Sequence, residues 1–429
     1  MAALRFSTSN CVGLGLMLVA TGGCELIGGL SHERELAPLT GGVGNSAGGA
    51  GDGAAGVASN GGGGTTPGGG GNPGSAGTGA DAGSAGDGET TLGGAGSAAG
   101  GSANGGSFGG ELIQGGTGGL AEDPTPPPSC VGDSLSECNG ESCCRALPVP
   151  GGAFAMGRSL EGADAFAFGR DLELPEHSVT LSRFVLDKYE VTVGRLRRFV
   201  EAYSGNPPSA GTGAHPEIAS SGWQSIWNTR LPSSRAALED RLKCNFSFQT
   251  WTDAAGSNER LPANCLDWYV GYAFCIWDHG RLPTEAEWEF AASGGGDNRL
   301  YPWGATVPTS EYAVFECSGG GSPADCLSND IRPVGSRQAL GNGRWGHADL
   351  SGSMLEHTRD AYYGDFYKQG VASGVNVVNL DTNLDAAGQS VVRGGNYLSD
   401  APSLRAAARN NLYRSSSTDG VGLRCARDP

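Results

Sequence analysis

The chain has 429 residues, of which 76 are glycine and only 38% are hydrophobic, and its formal net charge is −17. So acidic a balance excludes a phosphate-backbone partner, and no nucleic acid is expected. The glycine is concentrated between Gly41 and Gly119 without the strict third-position period of collagen.

Arg5 and the apolar run from Cys11 to Ala20 have the pattern of an export signal, and the run is too short to span a bilayer. Thr21-Gly22-Gly23-Cys24 has the layout of a bacterial lipobox, although Thr21 stands where such boxes prefer an aliphatic residue. A signal peptide over 1–23 with acylation of Cys24 is expected, and plain secretion is the alternative. Residues 24–125 are too poor in apolar surface to offset chain entropy, and a disordered linker is predicted. Its reach as a Gly-rich coil of about 80 residues is on the order of 50 Å.

Of the 12 cysteines, Cys11 and Cys24 fall in the signal. The even number left in an exported chain favours disulfides over zinc. Cys130, Cys138, Cys143 and Cys144 crowd into a Cys-rich flap over 126–148, with connectivity left open. Closeness in sequence pairs Cys244 with Cys265 and Cys317 with Cys326.

From 149 to 429 one folded domain is predicted. Val149 to Gly157 reads as a turn into a short strand, and Val179, Leu181 and Phe184 to Tyr189 as a second strand. Thr192 can cap a helix whose apolar positions Val193, Leu196, Phe199, Val200 and Tyr203 follow three-four spacing. Leu266 to Asp278 reads as a nearly all-apolar helix closed by Gly280 at its C′ position. Arg281 to Phe290, RLPTEAEWEF, holds Thr284 three residues before Glu287, a capping box. Trp268, Trp288 and Trp303 are expected in the core. Beyond Gly294 the chain is rich in Gly, Pro, Asn and Asp, which predicts loops and brief strands.

These strings, in order, are PGGAFAMG, HSVTLSRFVLDKYEVTVGRLRRFV, RLPTEAEWEF, YPWG, RPVGS, DLSGSMLEH, VVRGGNYL and VGLRCAR. Together they resemble the sulfatase-modifying-factor family, whose founding activity is the formylglycine-generating enzyme. The resemblance implies an α+β fold, the family's variant of the C-type-lectin-like fold. It also implies an oxidation of a sulfatase cysteine by oxygen and copper(I) held between two cysteine thiolates, soft ligands that hydroxyls replace poorly. In Gly394-Gly395-Asn396-Tyr397-Leu398-Ser399, Ser399 occupies the first catalytic cysteine position. The segment Asp400 to Arg405 then runs short, so the second cysteine is missing as well. Copper is therefore not expected. One family bridge maps to Ala292 and approximately Ala406 and is lost. Another maps to Cys275 and Cys425, and both are present.

Asp349-Leu350-Ser351-Gly352-Ser353-Met354-Leu355-Glu356 matches the family's calcium loop. The implied ligands are the Asp349 and Glu356 carboxylates with turn carbonyls at Gly352 and Met354, a hard-oxygen set suited to calcium. A second family calcium site is lost where Val314 replaces an Asn. The six histidines show no ligand spacing. Ser399 has no base motif to make it a nucleophile. The expectation is an exported, monomeric module that is anchored to the cell envelope or secreted and binds an envelope protein or a glycan. Contact with the membrane is expected only through the lipid. A formylglycine-generating oxidase working through an unrecognised site is the alternative, and a passive spacer is disfavoured because spacers need no disulfide-bonded domain.

Overall fold

The computed structural model describes residues 126–131, 137–161, 171–319, 326–380 and 388–429. The expected signal peptide, Cys24 and the whole of the linker over 24–125 lie outside them. Among the described residues no helix is long and apolar enough to cross a membrane.

The flap folds around β1 (Glu137–Cys138) and β2 (Glu141–Ser142), an antiparallel hairpin. Cys138–Cys143 staples it and Cys130–Cys144 ties the incoming segment to it, with Cα atoms 4.9 and 5.9 Å apart. Tyr189 Oη donates to Glu141 at 2.8 Å and lies 3.0 Å from the Cys138 carbonyl, which seats the hairpin on the domain.

Next come β3 (Ala146–Val149), β4 (Gly152–Met156), β5 (His177–Leu181) and β6 (Phe184–Asp187). The single strand expected through residues 179–189 is in fact two. β4 pairs with β5, whereas β6 pairs with β3 in another sheet. Between them Ser182 N–H donates to Asn376 Oδ1 at 2.9 Å, a side-chain bond that takes the chain off the first ladder.

The helices are α1 (Val193–Ala202), α2 (Arg235–Arg241), α3 (Trp268–Trp277), α4 (Glu285–Ser293) and the short α5 (Glu316–Gly319). Thr192 Oγ1 accepts the Arg195 amide at the start of α1, as its sequence predicts. Helix α3 is capped by Asp267. At its end His279, not Gly280, takes the left-handed conformation, with φ +59. Gly280 is the next residue out and donates to the Cys275 carbonyl at 2.7 Å, a Schellman closure. Glycine is needed there for closeness, because a Cβ would meet Ala426 O at 2.7 Å.

The remaining strands are β7 (Leu355–Ala361), β8 (Gly374–Val375), β9 (Gln389–Arg393), β10 (Arg409–Tyr413), β11 (Val421–Gly422) and β12 (Ala426–Arg427). Four run in the order β10-β9-β7-β11, three as β12-β6-β3 and three as β4-β5-β8. The last two residues of the chain's final strand thus return beside its early strands. Cys275–Cys425 locks that return to α3 with Cα atoms 5.5 Å apart. Cys244–Cys265 and Cys317–Cys326 are also joined.

One apolar cluster gathers α1 and α3 with Trp223, Trp227 and Trp251. A second gathers α4 with β4, β5 and β6 around Trp288 and Phe290. Each such side chain contributes about 1.5–3 kcal/mol on burial. Trp268 and Trp288 are fully buried. Trp303 corrects its expectation: it is half-buried, stacked on Tyr301 at 5.3 Å, with its Nε1 donating to Thr306 O.

Candidate functional site

Strand β9 delivers the chain to Gly394, where the backbone passes under α4. A Cβ there would lie 3.1 Å from the Trp288 ring, and φ is +98. The chain then turns through Asn396 and Ser399. Ser399 Oγ donates to Asn396 Oδ1 at 3.0 Å and accepts the Asn396 amide at 2.9 Å. The Ser399 carbonyl accepts from Glu316 N, and the Tyr397 carbonyl from Cys317 N. Serine here closes a turn.

The shortened segment behind it forms a single turn, Ala401–Leu404, capped by Asp400 Oδ1 on the Ser403 amide at 3.1 Å. Arg405 then forks onto Glu173 with two contacts of 2.8 Å, and Arg158 approaches the same carboxylate at 3.2 Å. Ser399, Asp400, Ser403, Arg405, Arg409 and Glu173 border a cavity of about 160 Å³. Arg409 is itself forked onto Glu285 at 2.6 and 2.9 Å. Burial opposes the charge on Glu285, but Arg409 and then Arg393 outweigh it and hold the carboxyl below its ordinary range. The bordering carboxylates are thus engaged, Glu173 by arginine and Asp400 by its cap. The Ser399 proton is directed to Asn396 Oδ1 and not to either carboxylate.

All ten cysteines of the described residues are in five disulfides. One group of three His, Cys, Asp or Glu ligand atoms falls within 4.8 Å among the described residues, at Cys317, Cys326 and Asp330. Its two sulfurs are bonded to each other. Ala292 and Ala406 are buried in the same apolar cluster, so the place of the missing bridge is filled by packing.

The loop matched to calcium is built differently from its expectation. Glu356 accepts from Arg424 Nε and Nη2 at 2.7 Å each, and from Trp288 Nε1 at 2.9 Å. Asp349 Oδ2 accepts the Gly335 amide at 2.5 Å. Gly352 N–H donates to Gly394 O, and Met354 N–H to Glu190 Oε1 at 2.9 Å. Calcium gathers six to eight oxygens at about 2.3–2.6 Å. Both Glu356 oxygens are already committed, and the Arg424 guanidinium stands where the cation's charge is required. In this arrangement the Glu356 carboxylate is spent on Arg424 and Trp288 rather than on a cation. Val314 fills the other lost position as a buried apolar side chain whose carbonyl accepts from Ser353 N.

Residues 134–429 match the sulfatase-modifying factor enzyme 1-like domain. The chain belongs to that family. Among its relatives, a formylglycine-generating enzyme of Thermomonospora curvata is 27% identical, covering 66% of this chain and 93% of its own length. An inactive C-alpha-formylglycine-generating enzyme 2 of Mus musculus is 26% identical, covering 65% of this chain and 84% of its own. The structure of PvdO from Pseudomonas aeruginosa covers 66% of this chain and 94% of its own length, at 20% identity and a TM-score of 0.47.

Within this member of the sulfatase-modifying factor family, two side chains escaped the sequence reading. Glu190 binds Ser353 Oγ and the Met354 amide, and Arg424 holds Glu356. Burial, reinforced by Asp349 and Glu356, pushes the Glu190 carboxyl well above its ordinary range. Burial, aided by Glu356 and opposed by the Gly335 amide and Arg424, raises Asp349 to about 6. Each signal was a charged residue set inside an apolar motif, KYEVT and VGLRCAR. Such a residue has to find a buried partner or raise a large desolvation cost.

Proposed function

We propose that this domain is a non-catalytic binding module, exported and either anchored through Cys24 or secreted. The observation that supports it best is the state of sulfur: every cysteine in the described fold is in a disulfide, and Ser399 closes a turn at the first thiolate position. Copper(I) has no thiolate pair to bind there. Calcium has no part in this reading, because Glu356 is held by Arg424. The partner is an envelope protein or a glycan, and the module acts as a monomer.

The similarity to formylglycine-generating enzymes supports a second reading, an oxidase of cysteine-containing peptides. The deciding experiment incubates the purified protein with copper and a Cys-x-Pro-x-Arg peptide and follows formylglycine by mass spectrometry. No conversion is expected. Turnover by the wild-type protein overturns the binding reading and puts the oxidase first.

A further inference from the structure

The cavity beside Ser399 belongs to the site already described, and the Cys317, Cys326 and Asp330 group is closed by its own disulfide. A third feature carries further. A cleft of about 460 Å³ opens between residues 246–250, 257–261 and 328–333. That size lies within the range of small-ligand sites, roughly 300–1,000 Å³. Phe246 stands at its edge with 96% of its surface exposed, which leaves its ring face open to a ligand. Phe248 lies behind it, stacked on Tyr397 at 6.0 Å. Gln249 and Asn329 add amide groups to the lining, while the Asn258 amide is held within the wall, its Nδ2 donating to Thr250 O at 2.9 Å.

The wall also carries Arg332. Among the described residues Arg332 and Arg337 make no ion pair, and the Nε of each is buried without a hydrogen-bond partner. In a chain of net charge −17, two cations left unpaired together are unexpected. Burial first, and then the charge of Arg332, lowers Arg337 below the ordinary arginine value, with Asp349 acting in the other direction. Asp349 is committed to the Gly335 amide. Among the described residues no carboxylate is paired with Arg332.

We propose that this cleft binds an acidic saccharide, with a pyranose face on Phe246, hydroxyls on the amides and the sugar's carboxylate or sulfate on Arg332. A sugar ring offers one apolar face ringed by hydroxyls, which is the complement of an exposed aromatic ring among amides. The Arg332 fork suits a planar carboxylate or a sulfate. The proposal rests on the binding-module reading and names its ligand class.

The test is calorimetric titration of the full chain with oligogalacturonate, alginate and chondroitin sulfate hexasaccharides, with cellohexaose as the neutral control. Binding of at least one acidic sugar is expected, with none of cellohexaose. Phe246→Ala and Arg332→Gln should each weaken it about tenfold or more, the loss of one stacked ring or one charge-assisted contact. Phe246 is nearly all in solvent, so its variant should melt as the wild type does. Failure of all three acidic sugars to bind overturns the proposal. So does equal binding of cellohexaose, or tighter binding of a polyglutamate peptide. None of these outcomes bears on the copper assay, which tests the binding reading separately.

Discussion

At Ser399 the hydroxyl gives its proton to Asn396 and takes the Asn396 amide, so both its donor and an acceptor position are in use. A cysteine placed there restores one sulfur and no second one, because the segment that follows is tied to Glu173 through Arg405. Ser399→Cys is therefore expected to yield no formylglycine from the same peptide in the presence of copper. Measurable turnover by that variant would show that one thiolate suffices. The Glu356–Arg424 pair yields a second expectation. Addition of millimolar calcium should leave the melting temperature where a chelator leaves it, since calcium would have to displace a buried guanidinium. A rise in calcium would restore the loop as a ligand site. Arg424→Leu strips the partner from Glu356, and an uncompensated buried charge costs about 3–5 kcal/mol. Urea titration of that variant reads the loss directly.

Helix α4 shows how local sequence and distant packing share one element. Thr284 Oγ1 accepts the Glu287 amide at 3.1 Å, and Glu287 Oε2 accepts the Thr284 amide at 2.8 Å. Glu287 also receives both arms of Arg281 at 2.7 Å. Burial opposes its charge, but Arg281 and then His215 outweigh it and lower its pKa to about 2. Thr284→Ala should cost about 1 kcal/mol, seen as a lower urea midpoint with unchanged slope. The folded carboxyl lies below its unfolded value, so its contribution is complete above about pH 4.5 and is lost as pH falls toward 2. Glu287→Gln should flatten that part of the stability–pH curve. An identical acid limb in wild type and variant would contradict the assignment. The capping box was legible in the sequence because its partners are three residues apart. The forked bond to Arg281 was not, because it depends on how the chain entering the helix is folded back.

For the molecule as a whole, Cys275–Cys425 spans a sequence separation of 150 and fixes α3 to the last strand. In the chain-entropy picture a loop of that length is worth about 4–5 kcal/mol. Replacing both cysteines with serine should lower the denaturation midpoint by that order. Non-reducing peptide mapping should recover the two residues joined, and alkylation of Cys275 in the native protein would refute the bridge. The same mapping should find Cys130 with Cys144 and Cys138 with Cys143. Nothing in the sequence chose among the three possible pairings of those four, since all lie within fifteen residues.

By itself the sequence determined the family, the positions of α1, α3 and α4 and three of the disulfides. Those features rest on residue identity or on spacing within a few positions, where caps and amphipathic periods can be read directly. Only the tertiary structure decided that residues 177–187 divide between two sheets, and that Glu356 belongs to Arg424. It alone placed Arg332, without an ion pair among the described residues, in one cleft with an exposed Phe246. Each of these depends on which distant group reaches a buried charge or a free backbone amide first. Desolvation makes that choice costly to get wrong, and the sequence separation hides it from local pattern.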